Sequence, residues 1–323
     1  YRRDGSGVVE ITITASSGNS SGFPFGNGGG QSQRAQGSGF VYDSKGDIVT
    51  NEHVVDGANS VRVTLADGSS YNATVVGKDT STDLAVIHIN APASKLHPLT
   101  LADSDAVQVG DGVVAIGSPF GLEGTVTSGI VSALHRQISA PNNFPLNDAI
   151  QTDAPINHGN SGGVLLDSQG RVIGVTSQIE SASGGSDGVG FAIPSNTVKK
   201  IADQLISTGK VTHAYLGVQI QTIPASVASQ LSESAGVGVT QVRSGSPAAK
   251  AGLHASTATK DVAGSTYVTG GDVITAFDGK SVTTSTQLET LVSAKKPGDK
   301  VSLTIVRKGS TRTVSVTLAT RPS

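Results

Sequence analysis

Three residue types are absent from this chain of 323 residues: cysteine, methionine and tryptophan. The lack of cysteine excludes disulfides, thiolate nucleophiles and thiolate metal ligands, and it leaves the redox compartment open. The lack of methionine extends to position 1, where Tyr1 stands. We therefore expect a processed or truncated form, with any signal peptide or membrane anchor outside this chain.

Charge is also scarce. Charged residues make up 15% of the chain, the formal net charge is −2, and no basic block occurs. This composition argues against nucleic acid or acidic lipid as a partner. No run of about 18 apolar residues exists, so no segment of the sequence is expected to span a membrane. The length exceeds what one ordinary core fills and predicts two domains.

Glycine is abundant, at 41 residues, and short apolar runs are separated by turn signals. The alternating, β-branched run Val8 to Thr14 predicts a first strand, and the Gly- and Ser-rich residues from about 16 to 37 predict a flexible loop. Further short strands are expected from Gly39 to Ile179, with hairpin turns such as Asp67-Gly68. Strands at this spacing without helices between them predict antiparallel barrels or sandwiches.

A convincing helix is predicted only after these strands. Its N-cap is Ser195 or Asn196, one of its faces is apolar, and Gly209 ends it. Beyond Gly209 the pattern changes to mixed strands and helices. We therefore predict a mainly β first domain over residues 1–209 and a small α/β domain over residues 212–323.

The stretch from Asn157 to Gly163 reads N-H-G-N-S-G-G and suggests a nucleophile. Glycines let the backbone approach a reacting group closely and adopt positive φ. Successive backbone N–H groups in such a turn can converge on a developing oxyanion, beside the hydroxyl of Ser161. Taken alone, the stretch fits a glycine-rich hairpin tip equally well, so residues upstream have to decide.

Two upstream residues complete a catalytic set. His53 follows an apolar strand in T-N-E-H-V-V, and Asp83 begins one in T-S-T-D-L-A-V-I. Each alone is more typical of a capping, surface or turn residue. Together, in the order His53, Asp83, Ser161, they predict a triad in which the histidine is the general base and the aspartate orients it.

These stretches, with G-S-G-F-V at Gly37–Val41, I-Q-T-D-A at Ile150–Ala154 and V-G-F-A-I-P at Val189–Pro194, resemble the HtrA/Deg family of serine proteases. The resemblance covers almost the whole chain. It implies a mainly β fold, in which a chymotrypsin-like double β-barrel is followed by one PDZ domain. It also implies a homotrimer or a larger cage of identical subunits.

The same resemblance assigns further residues of the protease domain. It implies an oxyanion hole at Gly159, Asn160 and Ser161, formed by the N–H groups of the first and last. Ile156 and Ile179 match positions lining the primary specificity pocket. Arg136 matches an arginine of the sensor loop and Phe120 an aromatic residue of the activation loop. His158 departs from the family's expected proline or basic residue, and we interpret it as a surface histidine.

In the second domain the resemblance implies a peptide groove. The Tyr215 to Val218 segment, Y-L-G-V, matches the loop that binds a peptide's terminal carboxylate, so a peptide would add as a strand beside it. The residues assigned to the groove are Tyr215, Leu216, Gly217, Val218, Ile220, Leu288, Leu291 and Val292. An insertion at His254–Gly270 departs from the family's usual pattern in this domain.

The function expected is a serine endopeptidase that cleaves unfolded proteins after small or medium aliphatic residues under stress, with possible chaperone activity and regulation by peptide at the PDZ domain. The alternatives are a chaperone or PDZ scaffold, and a regulatory protease with one signalling substrate. Histidine spacing gives no metal site, no phosphate-binding loop is present, and no cofactor is expected. An extracytoplasmic location is expected, in the periplasm or cell envelope, tethered to the membrane or secreted.

Overall fold

The computed structural model describes residues 4–16, 32–118, 125–139, 145–157, 159–179 and 188–322. The chain divides into two compact units, Tyr1–Val211 and Thr212–Ser323. Within the described ranges no helix is long and apolar enough to cross a membrane.

The first half of the N-terminal unit is a closed barrel of six strands in the order β1-β2-β3-β6-β5-β4. Its interior is aliphatic, and its largest fully buried side chains include those of Ile11, Ile48 and Ile87. A short helix, α1 (Glu52–Val55), interrupts the path between two strands. The strands are β1 (Val8–Ser16), β2 (Ser32–Val41), β3 (Asp47–Thr50), β4 (Ser60–Thr64), β5 (Ser70–Asp79) and β6 (Leu84–Ile89).

Strand β2 corrects one prediction. Residues 32–37 were assigned to the flexible loop, but they pair with β1 in an unbroken antiparallel register from Ser16↔Ser32 to Val8↔Phe40. The local sequence is polar and has weak strand propensity, so pairing with β1 overrides it. Residues 17–31, which hold the Phe23 and Phe25 of the predicted loop, lie outside the described residues.

The second half of the N-terminal unit is another closed six-stranded barrel, in the order β10-β11-β12-β9-β8-β7. Its core is built around Val113, Ile150 and Leu165. A separate apolar cluster, which includes Phe40 and Val164, joins residues of both barrels. The strands are β7 (Gly112–Gly117), β8 (Thr125–Ser139), β9 (Pro145–Thr152), β10 (Val164–Leu166), β11 (Val172–Ile179) and β12 (Gly190–Pro194).

The predicted late helix is α2 (Ser195–Thr208), and it ends at Gly209 in the left-handed conformation, as expected. Its start differs from the prediction, because Pro194 occupies the N-cap position. The Ser195 hydroxyl donates instead to the Ala102 carbonyl over 2.7 Å. Apolar residues of one face, such as Val198 and Leu205, are buried in the cluster shared by the two barrels.

The C-terminal unit is built on an antiparallel sheet in the order β14-β15-β18-β20-β21, with β14 at one edge. Helix α5 packs beside its core, where Leu216, Phe277 and Leu288 are buried. The strands are β13 (Ala214–Tyr215), β14 (Val218–Ile223), β15 (Gly236–Val242), β16 (Ala258–Val262), β17 (Ser265–Thr269), β18 (Val273–Phe277), β19 (Lys280–Ser281), β20 (Lys300–Arg307), β21 (Ser310–Thr317) and β22 (Ala319–Thr320). The helices are α3 (Ala225–Leu231), α4 (Pro247–Lys250) and α5 (Ser285–Ser293).

The insertion at His254–Gly270 folds as a two-stranded hairpin of β16 and β17. Its Tyr267 and Val262 pack with Ile223 and with residues of α3 in a small apolar cluster. The side-chain amide of Gln221 donates to the Thr266 carbonyl and accepts from the Val268 N–H, over 2.8 and 2.9 Å. The insertion therefore leaves the main sheet intact and attaches to β14.

Candidate active site

His53 lies in the single turn of α1, directly after the buried strand β3. Its ring Nδ1 is 2.8 and 2.9 Å from the two carboxylate oxygens of Asp83. The His53 side chain is nearly buried and that of Asp83 fully so. Because Nδ1 faces a carboxylate, it carries the proton in the neutral ring, and Nε2 becomes the atom that can accept one.

The carboxylate of Asp83 is held on several sides. It accepts the main-chain N–H of His53 over 3.1 Å and the Ser177 hydroxyl over 2.8 Å. The main-chain carbonyl of Asp83 accepts hydrogen bonds from the side-chain amide of Asn51 and from the N–H of Glu52. Asp83 also has a φ of 53°, in the left-handed region that asparagine and aspartate tolerate better than most residues. These bonds fix the carboxylate against the imidazole.

Ser177 links the third predicted residue to this pair. The Ser161 hydroxyl donates to the Ser177 carbonyl over 2.9 Å, while the Ser177 hydroxyl donates to Asp83. The structure thus joins Ser161, Ser177, Asp83 and His53 in one hydrogen-bonded chain. The sequence analysis missed Ser177, because a serine within a strand carries no local motif.

The turn that carries Ser161 depends on glycine. Gly162 has a φ of 84°, and a Cβ there would lie 2.1 Å from the Ser38 carbonyl oxygen. Its N–H donates to the Thr176 carbonyl over 2.8 Å. The turn therefore fits tightly between strands of the two barrels, which is the close backbone approach expected from its glycines.

The N–H groups of this turn fall into two sets. Those of Asn160, Gly162 and Gly163 donate to carbonyls of the fold. Those of Gly159 and Ser161 donate to no acceptor within the described part of the chain. The second set contains the two N–H groups predicted for the oxyanion hole. Asn160 acts as a spacer, since its N–H is bonded to the Asn157 carbonyl.

A buried carboxylate lies next to His53 in the sequence. The Glu52 side chain is 3% exposed, and its Oε1 is 2.9 Å from the Lys78 ammonium, which also contacts Asp56. Burial opposes the charged form of Lys78, but hydrogen bonds to Asp56 and Glu52 outweigh it, so the pKa of this amine is raised. Lys78 therefore stays protonated and neutralises the buried carboxylate.

The predicted specificity and regulatory residues have different outcomes. Ile156 is 1% exposed and packs within the second barrel's core, and a Cβ on Gly190 would lie 2.7 Å from its Cδ1. Ile179 ends β11, and its side chain is outside what the structure describes. Arg136, on β8, donates from Nε to the Gln151 side chain over 2.9 Å. Phe120 and His158 lie outside the described residues.

The groove residues predicted in the C-terminal unit share one apolar cluster. Val218, Ile220, Leu291 and Val292 are partly buried against it. Leu216 and Leu288 belong to its buried part, and Tyr215 ends β13. The structure therefore brings together β14 and the α5 face that the sequence assigned to a groove.

In the Y-L-G-V loop, two backbone carbonyls accept hydrogen bonds from other segments of the C-terminal unit. The Leu216 carbonyl accepts the Ala248 N–H, and the Gly217 carbonyl accepts the Arg243 N–H. Gly217 has a φ of 85°, and a Cβ there would lie 2.2 Å from that of Ser246. In the described ranges the N–H groups of Leu216 and Gly217 meet no acceptor. They are available to an anion such as a carboxylate.

Among the described residues, no group of three or more histidine or carboxylate side chains is placed to hold a metal ion.

Two protein-family models and several relatives match this chain. Residues 37–175 match the trypsin-like peptidase domain and residues 214–318 the PDZ domain. A probable periplasmic serine endoprotease DegP-like of Brucella suis is 45% identical over 291 residues, covering 90% of this chain and 53% of the relative. Protease Do-like 1, chloroplastic, of Arabidopsis thaliana is 45% identical over 290 residues, covering 90% and 64%. The chain thus spans between half and two thirds of these relatives.

Solved structures match over nearly their whole length. The HtrA-type protease AlgW with tripeptide is 34% identical, with a TM-score of 0.80, covering 100% of this chain and 96% of that one. The serine endoprotease from Yersinia pestis is 29% identical, with a TM-score of 0.67, covering 99% and 96%. The predicted fold class, a mainly β double barrel followed by a small α/β domain, is confirmed.

Proposed function

Because the chain belongs to the HtrA family of serine proteases, we propose that it is a serine endopeptidase in which Ser161 is the nucleophile and His53 the general base. One observation carries the proposal. The hydrogen-bonded chain from Ser161 through Ser177 and Asp83 to His53 lies in the same unit as two N–H groups that donate to no acceptor among the described residues.

The reaction follows from these positions. The Ser161 hydroxyl turns from the Ser177 carbonyl to Nε2 of His53 and loses its proton there as its oxygen attacks the scissile carbonyl. The N–H groups of Gly159 and Ser161 bind the resulting oxyanion. His53 then returns the proton to the leaving amine. In the second half of the reaction His53 takes a proton from water, whose oxygen attacks the acyl carbon, and returns it to Ser161 as the acyl group is released. Asp83 stabilises the charged imidazole in both halves.

Specificity is proposed to lie with Ile156 and Ile179. Two branched apolar side chains would narrow the primary pocket to small or medium aliphatic residues before the cut. Gly190 supports this reading, because its missing Cβ leaves the space that Ile156 fills. One methylene is worth about 1–3 kcal/mol in such a pocket, so the preference within the aliphatic class should be broad.

The PDZ domain is proposed to regulate the protease by binding peptide. A peptide's C-terminal carboxylate would bind the N–H groups of Leu216 and Gly217, and its backbone would extend the sheet at the edge strand β14. Arg136 and Phe120 are proposed to pass this signal to the oxyanion hole. AlgW, one structural relative, was solved with a peptide.

Wider aspects of the role rest on the relatives. We propose unfolded proteins as substrates, an extracytoplasmic location like that of the relatives named periplasmic, and assembly into a homotrimer or larger oligomer. Protein quality control under stress, with chaperone activity, is the role proposed for the whole protein.

The test compares Ser161→Ala with wild type. Digestion of casein, an unfolded protein, and labelling by a fluorophosphonate should both disappear. Triad members act as a unit, and without them only a rate enhancement of about 10³–10⁴-fold over the reaction in water remains. Ser168→Ala is the matched control, since Ser168 is exposed in the next turn. Casein digestion by Ser161→Ala at a tenth of the wild-type rate, or labelling at another serine, would contradict the proposal.

A further inference from the structure

Ser38 lies on β2 of the first barrel, yet its polar groups are bonded around the catalytic turn. Its side chain is fully buried. Its hydroxyl donates to the Gly159 carbonyl over 2.6 Å and accepts the Ser118 N–H over 2.8 Å. Its N–H donates to the Ser161 carbonyl over 2.8 Å. One buried side chain of the first barrel therefore contacts the turn of the second.

The bond to Gly159 fixes one peptide plane. The carbonyl of Gly159 and the N–H of Asn160 belong to the same planar unit. The carbonyl is held by Ser38 and the N–H by the Asn157 carbonyl, over 3.0 Å. With this plane held, the direction of the Gly159 N–H depends on the two backbone dihedral angles of Gly159 itself, of which φ is 93°. Ser38 therefore fixes the Gly159 Cα, the atom to which the nitrogen of this N–H group is bonded.

The second N–H group of the oxyanion hole is held from the other barrel. The Asn160 carbonyl shares a plane with the Ser161 N–H. This carbonyl accepts the Thr176 hydroxyl over 2.6 Å and the Gly163 N–H over 2.9 Å. The two donors are thus fixed by two hydroxyls, one from each barrel, and their spacing depends on both.

We propose that Ser38 is a positioning residue for the oxyanion hole: its hydroxyl, held by the Ser118 N–H, fixes the Gly159–Asn160 peptide plane and with it the Gly159 Cα, so that the Gly159 N–H converges with that of Ser161. The inference rests on the endopeptidase activity proposed above. Ser38 is fully buried, so its hydroxyl acts through Gly159. Its loss should reduce stabilisation of the transition state more than binding of the substrate.

Ser38→Ala is the main test, with kcat and KM measured on a chromogenic peptide ending in an aliphatic residue. We expect kcat to fall about 10- to 100-fold, less than the 10²–10³-fold that follows loss of a donor itself, with KM within about twofold. The affinity of a peptide boronic acid, which forms a tetrahedral adduct at the serine, should fall with kcat. An uncleaved product peptide should bind equally well.

Ser195→Ala is the matched control. Ser195 is also a fully buried serine that donates to a main-chain carbonyl, over 2.7 Å, but it lies at the start of α2 and contacts Ala102. Both alanine variants should lose similar stability in thermal unfolding, and only Ser38→Ala should lose kcat. Ser38→Thr, which keeps a hydroxyl, should recover kcat to within about threefold of wild type.

Ser38→Cys extends the test in case the alanine variant does not fold, because a thiol keeps the volume and is a weak donor. A wild-type kcat in Ser38→Ala or Ser38→Cys, or an equal loss in Ser195→Ala, would overturn the inference. Absence of casein digestion by the wild-type protein would instead overturn the proposed function, so the two failures are distinguishable.

Discussion

Among the described residues, the N-terminal unit and the PDZ domain each contain an aspartate whose side chain is fully buried, and the two carboxylates are bonded in similar ways. In the first unit, the carboxylate of Asp83 accepts hydrogen bonds from one backbone N–H, from the imidazole of His53 and from the hydroxyl of Ser177. Asp272 in the PDZ domain accepts one backbone N–H, from His254, and two N–H groups of one guanidinium. Both side chains have an exposure of 0%.

The partners make the difference. Imidazole gains and loses a proton near neutral pH, so a carboxylate beside it can stabilise a charge that appears during a reaction. The guanidinium of Arg307 is always charged, and it also donates to the Gly252 carbonyl over 2.6 Å. We therefore propose that the same degree of burial serves catalysis in the first unit and fold stability in the PDZ domain.

Asp83→Asn should give the largest effect. The amide has a similar shape but favours the wrong imidazole tautomer, so kcat should fall about 10⁴-fold. Asp272→Asn, the same change in the other unit, should leave kcat unchanged. Hydrolysis of a chromogenic peptide by both variants checks the contrast. A loss in Asp83→Asn below tenfold would show that the two aspartates do not differ in this way.

Arg307→Met should destabilise the PDZ domain by about 3–5 kcal/mol, because it leaves the carboxylate of Asp272 buried without its counter-charge. Hydrogen exchange of β18 and β20 in the full chain should rise, while basal peptide hydrolysis stays unchanged. Arg312→Met is the control, since Arg312 is exposed on β21. Equal exchange in both variants would remove the structural half of the comparison.

Asp278→Asn should give the smallest effect, since its carboxylate is partly exposed. Hydrogen bonds from Lys295, over 2.7 Å, and from the Ser302 N–H lower the pKa of Asp278 below its ordinary 3.8. Because the pKa of Asp278 is lower in the folded protein than in the unfolded chain, the ionised carboxylate stabilises the fold above pH 3.8. This stabilisation is lost as the pH falls through the folded pKa.

The free energy of unfolding should therefore drop by about 0.2–1 kcal/mol in Asp278→Asn at pH 7, and the two proteins should converge at acid pH. Urea unfolding at pH 7, 5 and 3 checks the trend. A difference that is the same at all three pH values would assign the effect to packing.

How far the sequence predicted the site depends on the range of each contact. His53, Asp83 and Ser161 lie in motifs that local residues define, and the structure brings the first two into contact. Ser38 and Ser177 lie within strands, and their roles arise from pairings across more than 90 residues. A local pattern contains no signal for such a contact.

The fold shows the same limit. Short apolar runs between turn signals predicted antiparallel barrels or sandwiches, and the family resemblance implied the two barrels that the structure shows. The hairpin of β16 and β17 was read only as an insertion, since residues such as Lys260 and Asp261 are polar and exposed. Its strands form because they pair with each other and pack on α3, which a sequence pattern does not reveal.

The contact between Ser38 and Gly159 also has a consequence for the timing of biosynthesis. The two residues are 121 positions apart in the chain. Chains are made at about 5–20 residues per second and fold from the N-terminal side, so the first barrel can close before Gly159 leaves the ribosome. His53 and Asp83 would then be paired while the turn of Ser161 has no anchor. The proposed active site is therefore complete only once the second barrel has folded.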